Sequence, residues 1–249
     1  MIVDIWTVMR KELIEIFLQR GNTAGSRRGG WFSILLVLGI FGLVLPLQIG
    51  PEWFQRPQLL LFWAWVPLFL VSSVTTDTFA GERERHTLET LLASRLSDRA
   101  ILFGKVAAAV VYGWGLSLLS VAVSVIAINI VYAHGQFLFY PLDVAALGVL
   151  LSLLASGLSA TAGVLISLRA SSARQAAQIM SVAIMVLLFV PVFGLQALPP
   201  GIRNQITNAL NNSSFDNIAL GAAVVLVILD GLLLLASLAR FQRAKLILD

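Results

Sequence analysis

Six long apolar stretches, joined by short polar segments, set the terms for what this chain can become. They cover residues 31–50, 58–79, 103–132, 142–168, 176–198 and 218–239. Each reaches the ~20 residues that an α-helix needs to cross a hydrocarbon core of about 30 Å. The third and fourth are long enough to tilt or to project beyond the bilayer. With 58% hydrophobic residues and only 12% charged ones across 249 positions, no stretch is left for a large soluble domain. The expected fold is all-α: one polytopic membrane domain, residues 1–249, with six transmembrane helices.

The basic residues give the orientation. All of the 17 Lys and Arg residues except Arg56 and Arg203 fall in the N-terminal segment, after the second span, after the fourth, or after the sixth. By the positive-inside rule these regions face the cytoplasm, so both termini are expected there, in the cell (inner) membrane. The net charge of +4 reflects that asymmetry. No basic patch is interleaved with aromatics, and no nucleic-acid partner is expected. No cleavable signal peptide is expected either, because the first apolar run is full length and lacks a small-residue cleavage pattern.

Residues 1–20 have the pattern of an amphipathic helix lying on the membrane. Ile2, Ile5, Trp6, Met9, Leu13, Ile16 and Phe17 share an arc of about 120°, with Asp4, Lys11, Glu12, Glu15 and Gln19 opposite. The outward loops are short. Trp53 and Phe54 read as an aromatic belt at the interface. Pro199 and Pro200 precede Ile202, Ile206, Ala209 and Leu210 at helical spacing, which predicts a short outward helix. Spans three and four carry small residues at helical spacing, Ala109, Gly113, Ser117 and Ser120, then Ser152, Ser156, Ser159, Gly163 and Ser167, which suit close helix packing in lipid. Pro46, Pro67 and Pro191 are candidates to kink spans one, two and five.

Charge is concentrated between spans two and three. Glu82, Arg83, Glu84, Arg85, Glu89, Arg95, Asp98, Arg99 and Lys105 crowd into 27 residues, Phe79–Lys105. Gly81 permits a break. From Thr87 a short helix is expected, with Leu88, Leu91, Leu92 and Leu96 three or four apart, and Ser97 or Asp98 as N-cap of the third span. Such a helix can seat its leucines in a groove of a soluble partner, with the charges setting register.

These residues resemble the ABC-2 type transporter permeases. The resemblance rests on Gly81-Glu82-Arg83-Glu84, then Thr87-Leu88-Glu89 followed by Leu91-Leu92, then Gly104-Lys105, together with Arg10-Lys11-Glu12-Leu13 near the N-terminus. The chain departs from the family in His86, where Gly is usual, and in Ser94, where Pro often stands near the leucine pair. The resemblance implies the transmembrane subunit of an ABC exporter, with residues 1–20 as its interfacial elbow helix. By the same resemblance it would pair with a second permease subunit, as a homodimer or heterodimer, within membrane lipid. Residues 81–97 would be the coupling segment that docks on a separate P-loop ATPase subunit, through Glu82, Arg83, Glu84, Thr87, Leu88, Glu89, Leu91 and Leu92. ATP and Mg would bind that partner, leaving no cofactor on this chain. The residues agree independently: Gly104-Lys105 is followed by Val106 and preceded at the first glycine position by Arg99, so no phosphate-binding loop is present.

Three polar residues within or beside the spans remain as candidates. Asp230 lies mid-span, where a carboxylate is costly and a functional candidate by default; hydrogen bonding to Asn129 or a serine of a neighbouring helix is the other reading. Asp77, at the inner end of span two, is expected to pair with Arg83 or another base. Asp230 supports one rival function, an ion-coupled secondary transporter. A serine hydrolase built on Gly157-Leu158-Ser159-Ala160 and His134 is a weak match, since one G-x-S fragment carries little. Two histidines on opposite sides and no cysteine cannot build a zinc site, and an enzyme is not expected.

Overall fold

The computed structural model describes residues 1–22, 32, 34–56, 59, 61–89, 93–133, 135–212 and 214–241. Among them there are helices and no strands. In chain order these are α1 (Ile2–Asn22), α2 (Ile34–Ile49), α3 (Glu52–Gln55), α4 (Leu61–Thr75), α5 (Ala80–Glu84), α6 (Asp98–Tyr132), α7 (Leu142–Arg169), α8 (Ala173–Ala197), α9 (Pro200–Asn212) and α10 (Phe215–Arg240).

Among the described residues, four helices, α6, α7, α8 and α10, are long and apolar enough to cross a membrane. In the apolar segments 31–50 and 58–79, read as the first two spans, the described residues form the shorter helices α2 and α4, and each has a local irregularity. α4 holds 15 residues and gives way at 76–79 to turns, where hydroxyl side chains compete for backbone carbonyls: Thr76 donates to Ser72 O and Thr78 to Thr75 O. α2 is π-helical over Leu38–Val44 and returns to α-helix at Leu45, one residue before Pro46. Proline has no N–H to donate to the preceding turn, and the wider turn accommodates that missing bond. Pro67 and Pro191 lie inside α4 and α8.

α4 sits at the centre, packed chiefly on α7 and then α6. The small residues of those helices are its packing seams. A methyl carbon added at Gly163 would fall 1.9 Å from Thr75 Oγ1, and one at Gly113 would fall 2.0 Å from Val71 Cγ2. Ser117 and Ser159 donate to Trp63 O and Leu68 O of α4. α1 packs on α6 and α10 on α7.

α1 keeps its expected helical form. Val8 and Glu12 are buried against the bundle, so Glu12 leaves the polar face on which its spacing placed it, while Ile2, Trp6 and Phe17 of the apolar arc are exposed. Trp53 and Phe54, expected as a lipid-facing belt, are instead buried, with Tyr140 and Trp63. The short helix after Pro199 forms as α9.

Candidate functional site

The charged block folds around α5 into a junction that touches five elements. Its first half is a set of turns tied to α7: Ser167 Oγ accepts from the backbone N–H groups of Phe79 and Ala80, at 3.0 and 2.9 Å, and donates to Thr76 O at 3.0 Å. Gly81 leaves room there for the Asp77 carboxylate, since a Cβ at that position would lie 1.9 Å from Asp77 Oδ1. Asp77 pairs across it with Arg85 at 3.1 Å, not with Arg83.

Three consecutive residues then reach three different places. Glu82 Oε1 accepts from Lys105 Nζ of α6 at 2.8 Å. Arg83 donates to the carbonyls of Ala170, at 2.5 Å, and Leu168, capping the C-terminus of α7, where a cation also suits the helix dipole. Glu84 Oε1 accepts from Ala173 N at 3.2 Å, at the N-terminus of α8.

Lys105 is the centre of this arrangement. Only 1% exposed, it donates to Glu12 Oε1 of α1 at 3.0 Å, to Glu82, and to Thr78 O at 3.2 Å, with its ammonium 5.1 Å from the centre of the Phe79 ring. A buried ammonium needs such partners, since an unpaired charge is intolerable there. The preceding Gly104 lets α1 seat directly on α6: a Cβ at that position would lie 2.6 Å from Val8 Cβ. Glu12, read from the sequence as part of the polar face of α1, is therefore an internal ligand; its spacing from the apolar arc gave no sign of this, because the partner stands 93 residues away. Lys11 borders the cluster, 3.3 Å from Glu12, 3.1 Å from Glu15 and 4.0 Å from Glu82.

Burial pushes the Glu82 carboxyl above its ordinary value; Lys105 opposes the shift, Glu12 adds to it and Lys11 opposes it. For Lys11, partial burial pulls downward, but Glu12, Glu15 and Glu82 outweigh it and hold the ammonium above the usual lysine value.

Two readings of the docking surface change. Glu82, at 7% exposure, and Leu88, at 6%, face inward. Leu88 packs with Phe79, Leu102, Val106 and Phe241, so it anchors the segment to the bundle and is not free to fill a partner's groove. Thr87 and Glu89 are exposed, as are Arg85, His86, Arg95 and Arg99. Leu91 and Leu92 lie outside the described residues. His86 adopts φ 55°, the left-handed region that favours glycine. Ser97 caps α6 as expected, accepting from Ala100 N.

The polar residues elsewhere separate. Asn129 does not meet Asp230. Its Nδ2 donates to Leu138 O and Val125 O and its Oδ1 accepts from Leu138 N, each at 2.8 Å, which pins the loop after α6. Asp230 lies against Gly157 of α7, and its Oδ1 has no hydrogen-bond partner. No group of His, Asp or Glu that could hold a metal ion occurs among the described residues.

The profile of the ABC-2 family transporter proteins matches residues 52–238, which take in α3 to α9, nearly all of α10, and the junction around α5 apart from Lys11 and Glu12 of α1. The chain belongs to this family. No curated protein matches it significantly. As an ABC-2 family member it is a membrane component of an ABC transporter, and Lys105 and Ser167 both lie within the matched residues.

Proposed function

We propose that this ABC-2 family chain is the permease half of an ATP-driven exporter and that the junction around α5 receives the stroke of a separate ATPase. α2 and α4 join the four long helices in crossing the membrane, giving six crossings with the termini and α5 in the cytoplasm. The chain works as a dimer with two ATPase subunits, each holding ATP and Mg. One observation carries the reading: Glu82, Arg83 and Glu84 are adjacent in sequence yet bind α6, α7 and α8 separately. A push on α5 is thereby distributed to three helices at once. The exposed residues Thr87, Glu89, Arg95 and Arg99 form the outer surface of this junction and offer polar, charged docking.

The test is capture from native membranes. The full chain with a photo-crosslinking residue at Thr87, exposed on the same surface, should trap a protein bearing a phosphate-binding loop, and the paired reversals Glu89→Arg and Arg95→Glu should abolish the capture. Leu88→Glu is unsuited to this purpose, since it places a charge in the bundle. Capture of no such protein would defeat the reading. The ion-coupled alternative rests on the unpaired Asp230 Oδ1; it predicts that transport survives the Glu89 and Arg95 reversals and fails in Asp230→Asn.

A further inference from the structure

The cluster around Lys105 is one hydrogen bond short. Glu82 Oε1 is engaged, while Glu82 Oε2 is buried with no donor. A buried charged acceptor left unpaired is rarely tolerated in folded proteins. Lys105 cannot supply the bond, because an ammonium has three N–H donors and all three are used, on Glu12, Glu82 and Thr78 O. Lys11 can. It is half exposed and holds Glu12 and Glu15 with two contacts, and its ammonium already stands 4.0 Å from the other oxygen of Glu82. Its long stem allows the remaining donor to swing.

The surroundings permit such a movement. Glu12 Oε1 contacts both Lys11 and Lys105, at 3.3 and 3.0 Å, so it remains a common pivot whichever way Lys11 points. α1 closes on α6 at Gly104, where Val8 approaches the backbone, and is held farther along by Phe17 edge-on to Tyr112 at 5.8 Å. The movement open to α1 is therefore a tilt of its first turns about Glu12, not a slide along α6.

We propose that Lys11 and Glu82 form a two-position latch between α1 and α5. In one position, the one described above, Lys11 is turned to Glu15. In the other it completes the coordination of Glu82 Oε2 and draws α1 and α5 together, with Glu12 as hinge. Lys11 is thus a positioning residue for the junction. The latch rests on the coupling reading only for what drives it, since the two positions belong to this chain alone.

The chain has no cysteine, so labels can be placed singly. Thr7→Cys on α1 and Glu89→Cys beyond α5, spin-labelled in the full chain in lipid nanodiscs, report the α1–α5 separation by pulsed electron paramagnetic resonance. Two distance populations are expected. Lys11→Gln should deplete the shorter one by about tenfold, the scale of a lost hydrogen bond to a charged group. Lys11→Arg should retain it, and an unchanged thermal melt for Lys11→Gln would confirm that folding is intact. A single distance in the parent chain, or two populations indifferent to Lys11→Gln, overturns the latch. Failure to capture an ATPase would defeat the coupling reading and leave these distances untouched.

Discussion

The two ends of α6 are held by different chemistry. At its start, Lys105 is shared among Glu12, Glu82 and a backbone carbonyl, and Lys11 stands within reach of the same carboxylates. At its far end the contacts are uncharged. Asn129 grips both backbone groups of Leu138, Tyr132 donates to Leu47 O at 2.9 Å, and Tyr140 takes the edges of Phe54 and Trp63 at 4.7 and 5.0 Å. Shared ionic partners can be redistributed with little change in number, whereas an amide bonded to one backbone segment can only hold or break. One end of the helix is built to rearrange and the other to stay.

That contrast can be broken by experiment. The largest effect is expected from Lys105→Met, which strands two carboxylates and should cost about 3–5 kcal/mol. Thermal unfolding of the detergent-solubilised chain, followed through its six tryptophans, measures it. Adding Glu12→Gln and Glu82→Gln should restore much of the loss, because removing a whole buried ion cluster is far cheaper than removing one member. A triple variant no better than Lys105→Met would mean that the cluster is not an ionic unit.

Asn129→Leu should cost less, about 1–3 kcal/mol, by orphaning the Leu138 backbone groups. Combined with Lys105→Met it should be additive to within about 0.5 kcal/mol, as for sites with no shared partners. A larger coupling energy in that cycle would show that the ends communicate.

The smallest effect concerns pH. Glu82 has its pKa raised above 4.5 by burial, so the folded chain holds that proton more tightly than the unfolded chain does. Its contribution to stability is full below 4.5 and is lost as pH rises through the raised folded value. Melts of the parent chain should therefore fall with pH across this window by an amount that Glu82→Gln removes. An identical slope in both chains would show that another group is responsible.

Much of this architecture was legible because lipid imposes a simple demand. The four long helices, the Ser97 cap, the helix after Pro199 and the small-residue seams follow from length, spacing and residue size. The interruptions of α2 and α4 were not legible because hydropathy registers apolar residues, and neither the π-helical turn before Pro46 nor the hydroxyl-capped turns at 76–79 alter it. The junction was legible as a block and not as a set of contacts. Glu82 and Leu88 sit in a charged, amphipathic stretch that looks exposed, and only the approach of Lys105, Phe241 and Glu12 from distant sequence buries them. Arg85 pairs with Asp77 for a related reason, since a turn at Gly81 sets the geometry that spacing alone leaves open.

Arg83 and Glu84 also carry information about direction. A helix that ends presents carbonyls and a helix that begins presents N–H groups, and the end of α7 and the start of α8 are separated by only residues 170–172. The positive residue meets the first and the negative residue the second. Exchanging the two would set each charge against a helix end of its own sign. The order of this dipeptide is therefore a compass: it fits only a chain that arrives at the junction along α7 and departs along α8.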